Sequence, residues 1–131
     1  MSIIGLTVIT TSFISCKKNI NINGHIDKNA PLKMSIHEKD SLNGLSSSHI
    51  FEIPVNSIKY RSFVEWCSKN TEGWKSTPAS YVAHISITQN NFWLLIFSKG
   101  NGVVIGFTDN NGKQRQYSKA INNEELNFLT K

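Results

Sequence analysis

Arginine, cysteine and proline are scarce in this chain: of 131 residues, two are Arg, two are Cys and three are Pro. With only Arg61 and Arg115 to make bidentate contacts to phosphate or guanine, the chain is poorly equipped for nucleic acid. A net charge of +5 does not alter this, because the basic residues are spread thinly and form no stripe. No apolar run is long enough to cross a ~30 Å hydrocarbon core as a finished helix. The phosphate-loop pattern GxxxxGK is missing, and Lys75-Ser76 reproduces only its end. His25, His37 and His49 contain no close-spaced ligand pair, so no metal site is expected. No cofactor is expected either.

What is present begins with sixteen uncharged residues, Met1 to Cys16, apolar or hydroxylated throughout and followed by Lys17 and Lys18. An apolar core of about 13 residues suits the hydrophobic region of a secretion signal, with small residues before the cut. Phe13-Ile14-Ser15-Cys16 resembles the lipobox of bacterial lipoprotein signal peptides. That resemblance implies cleavage before Cys16, acylation of the new N-terminal cysteine by chains such as palmitate, and a lipid anchor in the cell envelope. Phe13 stands where the family favours leucine, and no Lys or Arg precedes the apolar run. The other reading of residues 3–15 is a buried strand or helix of a soluble protein, and their Ile, Val and Thr would suit the strand. About 13 residues, however, exceeds the 3–10 of most strands. With Cys16 in the anchor, Cys67 is a lone thiol and no disulfide is expected. Lys17 and Lys18 beside the lipid would favour anionic headgroups. Basic rather than acidic residues after the cysteine imply, by the same resemblance, a periplasm-facing protein.

Residues 16–48 read as a lipidated cysteine and a flexible tether. Gly24, Pro31 and Gly44 punctuate the stretch, Asn and Ser crowd its end, and no period of 2 or 3.6 is sustained. A coil of this length spans roughly 30 Å, enough to hold a domain clear of a membrane. Residues 49–131 read as a small α+β domain. A short strand at 50–53 stops at Pro54. Val55, Ile58, Ser62, Phe63 and Trp66 share a helical stripe, which predicts a helix over 56–69. Asn56 is its expected N-cap, Glu65 and Lys69 an i,i+4 pair, and Asn70 and Gly73 its stops.

After a loop at 73–78, a β meander is expected from Ser80 onward. Tyr81, Ala83, Ile85 and Ile87 alternate with Val82, His84, Ser86 and Thr88, and Asn90-Asn91 tolerates the positive φ of a two-residue hairpin turn. Apolar residues 92–97 and 103–107 supply two central strands, and polar residues 113–117 an edge. Asn122 and Glu125 are placed to cap a short C-terminal helix carrying Leu126 and Leu129. The expected architecture is a four- to five-stranded antiparallel meander packed on one main helix. It resembles the cystatin-like topology, without a cystatin inhibitory motif.

Chemistry is thinly represented. A Cys–His hydrolase would need Cys67 with His84, but Cys67 falls in the last helical turn, where the macrodipole opposes a thiolate. Glu124 and Glu125 fit a first-turn dipole role better than an acid/base pair. No enzymatic constellation is expected. The candidate partner-binding residues are Trp74 in its loop and Trp93, Leu95 and Phe97 on the sheet face away from the helix, joined by Val104. That second face is either covered by the C-terminal helix and tether or exposed as an aromatic patch. The reading is a membrane-tethered, non-catalytic protein-binding lipoprotein of the bacterial envelope, in specific form an immunity or inhibitor protein. The alternative is a structural or accessory subunit of an envelope assembly.

Overall fold

Leu32, Met34 and Ile36 alternate with polar residues, and that period of two sets the first strand. The computed structural model describes residues 16–39, 42–78, 83–97 and 102–131. Strands β1 (Leu32–Lys39) and β2 (Ser46–Ile53) pair in register from Leu32↔Ile53 to Lys39↔Ser46. Helix α1 (Ile58–Lys69) follows, and then the two-residue strand β3 (Lys75–Ser76). The meander comprises β4 (Ile85–Gln89), β5 (Phe92–Ile96), β6 (Gly102–Thr108) and β7 (Gln114–Ala120). Among the described residues, seven strands lie in one antiparallel sheet of order β2-β1-β4-β5-β6-β7-β3. A 3-10 turn, Ile22–His25, precedes β1, and a 3-10 helix, Asn123–Thr130, closes the chain.

The α+β class is as expected, with a larger sheet. Seven strands replace four or five, and the order does not match the cystatin-like arrangement exactly as anticipated. The added strands come from stretches assigned to tether and loop. β1 lies between β2 and β4, so its backbone groups are paired on both sides. Lys75 and Ser76 pair with Ser118 and Tyr117.

The tether over residues 17–48 is therefore a misreading. Ile20, Ile22, Ile26, Leu32 and Met34 are all buried in the main core. Burying each such side chain contributes about 1.5–3 kcal/mol, which outweighs the bias of the Asn- and Ser-rich composition toward disorder. The fold begins at once: Lys18 pairs with Trp74 through N–H···O bonds of 2.7 and 3.2 Å. Residues 1–15, the expected signal peptide, lie outside the described residues, as do Tyr81, Val82 and the turn at 99–101.

Core geometry follows the strand alternation. Ile85, Ile87, Phe92, Leu94, Val103, Ile105 and Tyr117 point to one face, against α1. From α1 come Tyr60, Phe63, Trp66 and Cys67. This stripe is rotated from the expected one, because Ile58 is 74% exposed and Tyr60 takes the inward position. The N-cap is Ser57, one residue beyond Asn56; its Oγ accepts from Tyr60 N–H at 3.1 Å. Asn70 is the C-cap, Gly73 has φ +82°, and Lys69 bonds Glu65 at 2.9 Å, all at the expected positions. The Asn122–Glu125 capping box forms as anticipated. Leu126 and Leu129 then bury into the same core as α1, so this helix and the N-terminal segment do not cover the second sheet face.

One buried polar side chain fastens the N-terminal segment. The amide of Gln89, only 6% exposed, donates to the carbonyls of Asp27 and Ala30 at 2.8 and 2.9 Å. Its oxygen accepts from Asp27 N–H at 2.7 Å. Tyr60 Oη donates to the same two carbonyls at 2.9 and 3.1 Å. Replacing Gln89 by Ala leaves Asp27 N–H without its acceptor and takes one donor from each carbonyl, and we expect a loss of about 1–3 kcal/mol in stability. Urea unfolding of Gln89→Ala checks this, and an unchanged midpoint would contradict it.

Candidate binding surfaces

The expected site residues separate once they are placed. Trp74 is 0% exposed: its indole meets Trp66 edge-on at 6.5 Å and its Nε1 donates to Asn70 O at 2.7 Å. It is a core residue, not a partner anchor. Lys18, pairing with its backbone, and Lys119, 5.9 Å from its ring centroid, close it off from solvent. Trp93, Leu95 and Phe97 are half-buried; Trp93 and Leu95 pair with Gly106 and Val104 on the side away from α1, and Phe97 follows the end of β5. Val104 shares that side and is buried, although it is not part of the main core.

Trp93 is held by a glycine. A Cβ on Gly106, its cross-strand partner, would lie 2.0 Å from Trp93 Cζ2 and 2.1 Å from Cε2. The indole is thus laid across the bare backbone of β6, in the close approach that a strand glycine permits. Beside it opens a cleft of ≈ 380 Å³ lined by Trp93 and by residues of β6, β7 and the 76–78 stretch. Arg115 reaches this cleft, and its Nε donates to Asp109 at 2.8 Å. That ion pair and backbone donors at Lys113 and Asn111 hold the Asp109 carboxyl below the usual carboxylate range.

A second surface, which the sequence reading missed, is the arm formed by β1 and β2. Lys33 to Ile36 of β1 pair with β4, His37 N–H still donates to His84 O at 2.8 Å, and the hairpin continues to the Lys39↔Ser46 pair. All described residues from Leu42 to Glu52 are exposed. Ile50 is 73% and Phe51 48% exposed, on a strand whose only charged residue is Glu52. β2 ends the sheet, so its outer row of N–H and C=O groups has no strand partner among the described residues. Such an edge is a template for pairing unless it is short, charged or interrupted by proline. β2 is eight residues long, with Glu52 its one charge and Pro54 only beyond its end, so Ser46 to Phe51 carry neither protection. At the opposite end, β3 is two residues long, carries Lys75 and is followed by Pro78. An apolar groove of ≈ 490 Å³ adjoins the arm, with Met34, Ile36, Phe51, Ile53 and Leu129 in its wall.

Cys67 and His84 are not brought together. Cys67 is buried on α1, and desolvation pushes its thiol well above its ordinary range, away from the thiolate. His84 Nδ1 lies 2.8 Å from His37 O, just before β4. His37 Nδ1 faces Ser48 Oγ at 2.7 Å, His25 stacks on Phe107 at 3.7 Å, and His49 lies 6.5 Å from the Phe51 ring. Among the described residues, no group of three or more His, Cys, Asp or Glu is placed to hold a metal. Cys16 is exposed at the start of the fold. No helix among the described residues is long and apolar enough to cross a membrane. The chain matches no family model, no curated protein and no solved structure.

The Trp93–Gly106 contact gives a direct test. Gly106→Ala must displace the indole, and overpacking of this kind costs about 1–3 kcal/mol. The near-UV circular dichroism of tryptophan should change with the stability. An unaltered spectrum and melting curve would show that the ring does not rest on Gly106.

Proposed function

We propose that this chain is a membrane-tethered, non-catalytic protein-binding lipoprotein of the bacterial envelope, anchored through Cys16 and facing the periplasm. The observation that carries the binding half is the edge of β2, which has no strand partner among the described residues. A partner strand laid along it would gain main-chain hydrogen bonds, and alternate side chains would enter the groove beside Phe51. Ile50 and Phe51 would give that pairing an apolar grip on each face of the strand. In specific form the chain is an immunity or inhibitor protein whose arm occupies an extended segment of an incoming toxin or hydrolase.

The anchor works differently from a long leash. Lys18 is already paired with Trp74, so Lys17 alone separates an acylated Cys16 from the folded body. The domain would rest at the membrane surface with its β3 edge inward. The arm stands at the other end of the strand order and would project away from the lipid. Lys17, Lys18 and Lys75 at the inner edge would add about 1 kcal/mol each on anionic lipid.

Two measurements test the two halves separately. Cys16→Ser should abolish metabolic labelling by a fatty acid and release the chain from the membrane fraction; retained membrane association would sink the anchor. For the arm, an envelope hydrolase or toxin should lose activity at stoichiometric amounts of the chain. Ile50→Lys with Phe51→Lys, both at exposed positions, should weaken that inhibition at least about tenfold, or 1.4 kcal/mol. Stoichiometric co-purification with a membrane complex, without inhibition, would instead favour an accessory subunit.

A further inference from the structure

The cleft beside Trp93 has a chemistry distinct from that of the arm. Its floor is an aromatic ring fixed flat across Gly106, and its walls carry neutral polar groups. Asn91 and Gln114 bring side-chain amides and Thr108 a hydroxyl, while Gln116 already donates its Nε2 to Thr77 O at 3.3 Å. The Asn91 and Gln114 amides each offer donors and an acceptor, and the Thr108 hydroxyl can do either. No Asp or Glu lines the cleft among the described residues. That composition supplies no carboxylate to neutralise a cation and no carboxylate pair for glycoside hydrolysis. Among the described residues that line the cleft the cation is Arg115, and Asp109 holds it, so an anion would have to compete for it.

We propose that this cleft is a binding site for a neutral saccharide. A pyranose ring has an apolar face of axial C–H groups and a rim of hydroxyls that both donate and accept. The apolar face matches the half-exposed indole, and the rim matches the Asn91 and Gln114 amides and the Thr108 hydroxyl. A cleft of ≈ 380 Å³ lies within the ~300–1,000 Å³ that small-molecule sites occupy. Gly106 is the structural condition for the platform, since any side chain there would lift the ring. A ring already fixed by packing loses little freedom on binding, which lowers the entropic cost of a weak ligand. The site binds and does not cleave. It is independent of the arm and of the lipid anchor.

The test titrates the full chain with cellotriose and with chitotriose, following tryptophan fluorescence and the indole N–H resonances. The expected result is saturable movement of one indole signal, assigned to Trp93 by its loss in Trp93→Phe. Gln114→Ala, an exposed substitution that leaves the fold intact, should weaken binding about three- to tenfold. Trp93→Ala should abolish it, with the amide spectrum reporting whether the fold survives. The proposal is overturned if neither sugar moves the Trp93 signal at about 10 mM, well above the ~1 mM constant of a weak site. It is equally overturned if inorganic phosphate moves that signal and the sugars do not, because Arg115 would then be the ligand-binding group.

Discussion

The rest of the architecture depends on the clamp that Gln89 makes with the loop at residues 27–31. A primary amide buried to this depth is tolerated only when its donors and acceptor are satisfied. Here the partners are backbone groups of Asp27 and Ala30, and Tyr60 Oη converges on the same carbonyls from α1. Helix, sheet and N-terminal segment therefore meet at one polar point inside an apolar core. The clamp fixes where the chain turns from the 3-10 segment into β1. That in turn fixes the register of β1 between β2 and β4, and with it the position of the arm.

A second fastening acts at the other end of the segment. Lys18 pairs with Trp74, whose indole is closed over by Lys119 and whose N–H is taken by Asn70. Between the two fastenings, Ile20, Ile22 and Ile26 fill the space beside α1, and His25 stacks on Phe107. Burial holds the His25 pKa below its ordinary value, so the stacked ring favours the neutral form. The segment is a structural layer of the domain. An anchor at Cys16 would thus couple to the core without slack, and the orientation of the sheet on a membrane would be set by packing rather than by chain statistics.

Local signals were legible where one residue type has one physical use. Asn90 adopts φ +48° in the hairpin turn, and Asn70 and the Asn122–Glu125 pair cap their helices, all at positions the sequence marks. The inward row of β5, with Phe92 and Leu94, also followed from alternation alone. The N-terminal layer was harder, because its isoleucines are isolated among Asn and Gly and acquire meaning only against α1. The period-two trio Leu32, Met34 and Ile36 was the available clue, masked by the composition around it. Ser46 to Ser48 have no strand signal of their own; pairing with β1 imposes it. Trp74 was misplaced because a loop tryptophan looks the same in sequence whether it is capped by lysine stems or exposed. Gln89 beside a hairpin turn reads as a surface residue, and only the distant loop it grips makes it a core one.

The two ends and the two faces of the sheet are treated unequally, and that inequality carries the functional argument. A domain whose only requirement is to fold gains nothing by leaving an eight-residue edge without a strand partner among the described residues while blunting the other to two residues. Open edges expose a chain to unwanted pairing, and charge or proline would remove the risk at little cost to stability. On the face away from α1, Gly106 gives up strand propensity in the middle of β6 to seat Trp93. An alanine there with a smaller residue at position 93 would satisfy the fold with less backbone entropy lost. Both departures spend stability at surfaces remote from the core, the arm in the plane of the sheet and the indole on its face. Surfaces of that kind are understandable as places where other molecules are met.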